Sequence, residues 1–112
     1  MPAPLNTFKK RLLAREKLIG CWLATGEDYV AEVMGCAGFD WLVVDGEHAP
    51  NDIRSIRSQL TALSASTSHP VVRLPVGETW MIKQVLDAGA QTLLIPMVES
   101  GPEAEALVRA CR

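Results

Sequence analysis

The sequence predicts an α/β fold in which parallel strands alternate with helices. Short apolar runs at residues 19–24, 41–44, 70–75 and 92–98 are each followed by a stretch with helical apolar spacing. The run at 41–44, Trp-Leu-Val-Val, shows no polar alternation, which suits a strand covered on both faces, as in parallel sheets. That run stops abruptly in Asp45, Gly46, Glu47 and His48, placing acids and an imidazole at a strand's C-terminal end, where parallel α/β folds hold ligands and catalysts. Strand–helix–strand order implies parallel pairing with right-handed crossovers. Two closed forms fit: a small doubly wound sheet, or part of an eight-stranded barrel. A full barrel takes about 250 residues, so the four strand–helix units of these 112 residues amount to half of one.

Ahead of the first strand, Asn6 can cap a short helix with Phe8, Leu12 and Leu13 among its basic residues. The strand at 19–24 is followed by a turn at Gly26. Asp28 can cap the next helix, where Val30, Ala31, Val33, Met34 and Ala37 fall at helical intervals and Gly38 serves as the stop. After His48, Ala49-Pro50 breaks the chain and Asn51-Asp52 offers a cap to a helix carrying Ile53, Ile56, Leu60 and Leu63. Residues 64–69 form a polar loop, with His69 on its surface. The strand at 70–75 is fenced by prolines, and the helix at 78–88 turns Met81, Ile82, Val85 and Leu86 inward before Gly89. Pro96 removes one ladder donor from the last strand, marking its end or an irregular barrel position. A final helix then starts near residues 99–102 and carries Ala104, Leu107, Val108 and Cys111.

Composition bounds the function. A formal charge of −2, with the basic residues scattered, argues against a nucleic-acid partner. No apolar run approaches the roughly 18 residues of a membrane span, and the first residues lack the apolar core of a signal peptide. Cys21, Cys36 and Cys111 are widely spaced and include no C-x-x-C, so free thiols in the cytoplasm are expected. None of the strands carries a lysine for Schiff-base chemistry, and neither G-x-G-x-x-G nor a P-loop is present. No set of His, Asp and Glu forms a complete metal site: Asp45, Glu47 and Glu99 would be the only donors.

The strongest chemical candidates are His48, Asp45 and Glu47. A carboxylate on one imidazole nitrogen would fix the tautomer and leave the other nitrogen as a base; the plainer alternative is a polar turn that caps the next helix. Arg73 lies between Val72 and Leu74, out of place for a solvated side chain, and can grip a carboxylate or phosphate through two parallel hydrogen bonds. Its alternative is an ion pair with a nearby acid such as Asp45. Glu99, at the end of the last strand, is read as favouring the following helix's N-terminus. Trp22 either walls a pocket or packs in the core.

With these residues in view, the chain resembles the HpcH/HpaI family of metal-dependent pyruvate aldolases. The resemblance rests on Asn6-x-Phe8-Lys9, on Ile19 to Trp22, and on the run from Ala37 to Asp52 with its Asp-Gly-Glu-His-Ala-Pro core. It rests also on Pro70 to Arg73, Ile82-Lys-Gln-x-Leu-Asp-x-Gly89 and Leu94 to Glu99. It implies a (βα)8 barrel preceded by an N-terminal helix, with residues 1–112 as the N-terminal half, its four βα units forming one domain. It also implies cleavage of a 4-hydroxy-2-oxo acid, of the 2-dehydro-3-deoxyglucarate or 4-hydroxy-2-oxoheptanedioate type, to pyruvate and an aldehyde. On the matching positions His48 would be the base, Asp45 would orient it, and Arg73 would bind the oxo acid and stabilise the enolate. Glu47 and Trp22 would line the substrate pocket. Mg²⁺ or Mn²⁺ would be the cofactor, with its ligands expected beyond residue 112, so the 112 residues alone are expected to be inactive. A homo-oligomer is expected. The other readings are a half-barrel that acts only through association, and a non-catalytic small-molecule-binding α/β domain.

Overall fold

A computed structural model describes residues 2–112. Strands β1 (Gly20–Leu23), β2 (Trp41–Asp45), β3 (His69–Arg73) and β4 (Leu93–Leu94) form one parallel sheet in the order β1-β2-β3-β4. Helix α1 (Thr7–Leu13) precedes β1, and α2 (Asp28–Gly35), α3 (Ile53–Leu63), α4 (Thr79–Asp87) and α5 (Gly101–Ala110) follow the successive strands. A doubly wound sheet reverses its strand order at a switch point; here each strand lies beside its sequence neighbour throughout. That is barrel order, and four units of it make half of a (βα)8 barrel.

The period of two along each strand separates two packed surfaces. Leu23, Leu42, Val44, Val72 and Leu74 point outward against Ala31, Ile56, Leu60, Leu63, Ile82 and Val85 from the helices. On the opposite face Trp41, Val43 and Val71 pack with Phe8 and Leu18. By the same alternation Asp45 and Arg73 belong to this inner face, at the C-terminal ends of their strands, and the sheet register sets them side by side. Gly20 pairs with Trp41, whose indole crosses it so closely that a Cβ at residue 20 would lie 1.9 Å from a ring carbon.

Helix α1 plugs the other end of the sheet. Asn6 caps it by accepting from the Lys9 N–H at 2.9 Å, and the same side-chain amide donates to the Thr92 hydroxyl at 3.0 Å. Phe8 stacks on the His69 ring with centroids 5.0 Å apart, and His69 Nε2 meets the Thr92 Oγ at 2.8 Å. His69 is therefore the first residue of β3, half-buried, rather than a surface loop residue, and burial pushes its pKa down.

Other boundaries also shift. Glu27 occupies the cap position of α2 without a side-chain bond, while Asp28 is its first residue and accepts from the Ser58 hydroxyl at 2.7 Å. Helix α2 ends at Gly35 with Cys36 as its cap, ahead of Gly38. The strand expected at 92–98 is only Leu93–Leu94. Pro96 lacks a donor, and Met97, at φ 54°, turns the chain out of the extended conformation. Among the described residues no helix is long and apolar enough to cross a membrane.

Because Phe8 joins the plug to the inner face, Phe8→Ala is expected to lower unfolding stability by about 3 kcal/mol, measured by urea titration. An unchanged midpoint would show that α1 is not part of the cooperative core.

Candidate active site

The site is built at the C-terminal ends of β2 and β3. Asp45 closes β2 with its carboxylate buried at 3% residue exposure. Its Oδ1 accepts from Arg73 Nε at 2.8 Å and its Oδ2 from Arg73 Nη2 at 2.7 Å, the two parallel bonds of a fork on a carboxylate. Asp45 Oδ1 also accepts from the backbone N–H groups of Glu47, at 3.0 Å, and His48, at 3.3 Å. The Arg73 guanidinium, aided by these backbone donors, outweighs burial and holds the Asp45 pKa down at about 2. The same bonds push the arginine pKa up, so the pair stays charged.

Gly46 lets the chain turn at this point. Its N–H donates to the Arg73 carbonyl at 2.7 Å, and a Cβ there would lie 2.6 Å from that same oxygen. The turn delivers Glu47 and His48 over the strand ends. Glu47 Oε1 lies 2.7 Å from His48 Nε2 and 3.9 Å from Arg73 Nη1. The His48 side chain is otherwise open, 72% exposed. In the neutral ring Nε2–H donates to Glu47, which leaves Nδ1 as the free acceptor.

This corrects one expectation: the carboxylate on the imidazole is Glu47, not Asp45. Asp45 reaches His48 only through the backbone N–H, because Arg73 takes up its side chain. The ion-pair alternative for Arg73 is present, yet it does not consume the guanidinium, since Nη1 lies beyond hydrogen-bond distance of Glu47. Trp22 borders the same space: its ring lies 5.7 Å from the Arg73 guanidinium carbon and edge-on to Trp41 at 5.8 Å, and it remains 44% exposed. Glu99 is exposed just ahead of α5, its N–H donating to Glu103 Oε2 at 3.1 Å, and stays apart from these residues.

Asn51, which the sequence offers only as a helix cap, and Gln59 also support the site. Asn51 Nδ2 donates to the Asp45 carbonyl at 2.8 Å, while Asp52, one residue on, caps α3 through a capping box with Ser55. Gln59, wholly buried on α3, donates to Asn51 Oδ1 at 2.7 Å. A polar residue on the apolar stripe of Ile56, Leu60 and Leu63 was the available signal.

The described residues do not make a metal site. They contain no group of three or more His, Cys, Asp or Glu able to hold an ion. Asp45 is committed to Arg73 and Glu47 Oε1 to His48, leaving the buried and unpartnered Glu47 Oε2 as a single uncommitted oxygen.

The family model for HpcH/HpaI aldolase/citrate lyase matches residues 18–112. The chain belongs to that family. A relative named hydroxypyruvate/pyruvate aldolase from Roseobacter denitrificans is 65% identical over the whole chain, which covers 44% of that relative. One from Rhodococcus jostii named 4-hydroxy-2-oxovalerate aldolase is 54% identical over 113 aligned residues, with 44% of its length covered. The crystal structure of a family member from Burkholderia cenocepacia superposes with a TM-score of 0.93 at 48% identity, over 96% of this chain and 43% of that one. The HpcH/HpaI chain thus spans less than half the length of the relatives it matches. The two curated relatives are named for substrates other than the glucarate- and heptanedioate-derived acids expected above.

The Asp45–Arg73 pair sets an acid limit. With a pKa of about 2 in the fold against an ordinary 3.8, Asp45 contributes stability that is complete above pH 4. That contribution, roughly 2 kcal/mol, is lost as pH falls towards 2. Arg73→Met strands the carboxylate, which is expected to cost about 3 kcal/mol at pH 7. The gap to the parent narrows at pH 3, where the lone carboxyl takes a proton. Chemical denaturation at the two pH values checks this; a pH-independent gap would contradict it.

Proposed function

We propose that this chain supplies the base and the anion clamp of a carbon–carbon lyase that cleaves a 4-hydroxy-2-oxo acid into pyruvate and an aldehyde. The observation that carries the reading is Arg73: two of its nitrogens are locked by a buried aspartate, while Nη1 remains for an oxo acid beside an open imidazole. In the forward cleavage His48 Nδ1 takes the proton from the C4 hydroxyl. The C3–C4 bond breaks, C4 leaves as the aldehyde carbonyl, and the bonding pair passes through C3 to the C2 oxygen as an enolate. Arg73 holds the substrate carboxylate and the charge growing on that oxygen, an electrostatic contribution that needs no rearrangement during the reaction. Glu47 stabilises the imidazolium formed at His48. Return of a proton to C3 gives pyruvate.

The names of the relatives support an oxo-acid aldolase, one naming hydroxypyruvate/pyruvate and another 4-hydroxy-2-oxovalerate. We take the pyruvate-type half as the part recognised by Arg73, with Trp22 as a wall of the same pocket. The divalent cation implied by the resemblance, Mg²⁺ or Mn²⁺, would draw its ligands from outside the residues described here.

A half-barrel leaves two strand edges, at β1 and β4, and apolar side chains such as Trp22, Leu94 and Val98 facing solvent. We therefore propose that turnover requires a second half that closes the sheet, whether in the same polypeptide or by association. The 112-residue chain assayed alone with Mg²⁺ and a 4-hydroxy-2-oxo acid is expected to release no pyruvate; release would overturn this part. In a polypeptide that closes the barrel, His48→Ala is expected to lower kcat by about 10²- to 10⁴-fold. Arg73→Lys, which keeps the charge and loses the fork, is expected to cost about 10²-fold or more in kcat/KM. Retention of full activity by either variant would sink the assignment.

A further inference from the structure

Gln59 lies where the packing calls for a hydrocarbon. It is 0% exposed on the buried stripe of α3, yet its amide is polar and its Oε1 has no hydrogen-bond partner. The orientation of that amide follows from chemistry: its Nε2 faces two acceptors, Asn51 Oδ1 at 2.7 Å and the Ser55 carbonyl at 3.0 Å. Turning it over would set oxygen against oxygen at both contacts. An unsatisfied buried carbonyl is unfavourable compared with a leucine or methionine of similar size. A residue kept there against stability calls for another reason.

The hydrogen bonds supply it. Asn51 Oδ1 accepts from Gln59 and from the Ser55 hydroxyl at 2.8 Å, and so its own amide must point the opposite way, where Nδ2 donates to the Asp45 carbonyl at 2.8 Å. A continuous chain of bonds thus runs from the interior of α3 to the peptide of Asp45. The six residues from Gly46 to Asn51 are pinned at one end by the Gly46 N–H on the Arg73 carbonyl and at the other by Asn51. Glu47 and His48 lie between the two pins.

We infer that Gln59 and Asn51 are positioning residues that set the Glu47–His48 turn over the sheet, at the expense of core stability. The inference rests on the proposed lyase reading for what the turn is used for, but the pinning itself is independent of it. Neither residue touches substrate; they act by limiting how far the imidazole and its carboxylate wander from Arg73. Misplacing a catalytic group through a change remote from the chemistry can cost about 100-fold in rate.

The test pairs amide hydrogen exchange with activity in the parent, Gln59→Leu and Asn51→Ala. For Gln59→Leu, the melting temperature should hold or rise, while exchange at the Glu47 and His48 amides quickens about tenfold or more and the slowest strand amides are unchanged. A merely structural glutamine would instead lower the melting temperature and speed exchange throughout. Asn51→Ala removes the link outside the core and should quicken the same two amides, so the inference stays testable if the leucine variant fails to fold. In a polypeptide that closes the barrel, both variants should lose about 10-fold or more in kcat with a smaller change in KM. Unchanged exchange at Glu47 and His48 in Asn51→Ala would overturn the inference. Faster exchange in these variants, together with no pyruvate release by the parent form of a polypeptide that closes the barrel, would leave the pinning standing and overturn the lyase reading instead.

Discussion

The pairing of Asp45 with Arg73 across neighbouring strands is the constraint on which the site depends. A carboxylate this deeply buried needs a cation that can satisfy both oxygens, and a guanidinium meets that need with two parallel bonds. The pair in turn decides what surrounds it. Asp45 gathers the backbone N–H groups of Glu47 and His48, and that gathering bends the chain into the turn that presents the imidazole. Arg73 is pulled flat along the strand ends, beside Trp22, with one nitrogen outside the pair. Removing either partner would leave an uncompensated charge and release the turn together.

The barrel order explains why these groups can meet at all. Asp45 and Arg73 are 28 positions apart in sequence and become neighbours because β2 and β3 run parallel in register. The alternation of side chains then sends both to the inner face, while Val44, Val72 and Leu74 at the alternate positions pack against the helices. The two ends of the sheet have different tasks. Phe8, His69, Thr92 and Asn6 seal the N-terminal end with stacked rings and hydrogen bonds. The C-terminal end keeps its charged groups together and an open imidazole.

Much of this was legible in the sequence, and the reasons it was not complete are specific. The continuous apolar run of β2, ended by Asp45 to His48, marked both the buried strand and the site, since those features are local. Asn6 and Asp52 as caps, and the sheet-facing apolar stripes of α3 and α4, are local too. Spacing leaves open which carboxylate meets the imidazole, and only the resemblance names Asp45; the distant Arg73 takes up that carboxylate and Glu47 meets the ring. Pro70 reads locally as the strand's start, whereas pairing with Trp41 brings His69 into the strand as its first residue. The last strand was overextended because apolar character continues through Pro96 and Met97 after the ladder has stopped. Gln59 was visible as a polar residue on an apolar stripe, but its partner lay outside the periodic pattern. Long-range pairing, not propensity, accounts for most of what was missed.

In the proposed lyase, Asp45 aims Arg73 at the oxo acid while Glu47 holds His48 beside it. The most direct test is a crystal structure, with pyruvate bound, of a polypeptide that contains these residues in a closed barrel. The account predicts a pyruvate oxygen within about 3 Å of Arg73 Nη1, with both Asp45–Arg73 bonds intact and the Glu47–His48 contact kept. Pyruvate seated away from Arg73, or bound only after the Asp45 pair has broken, would contradict it.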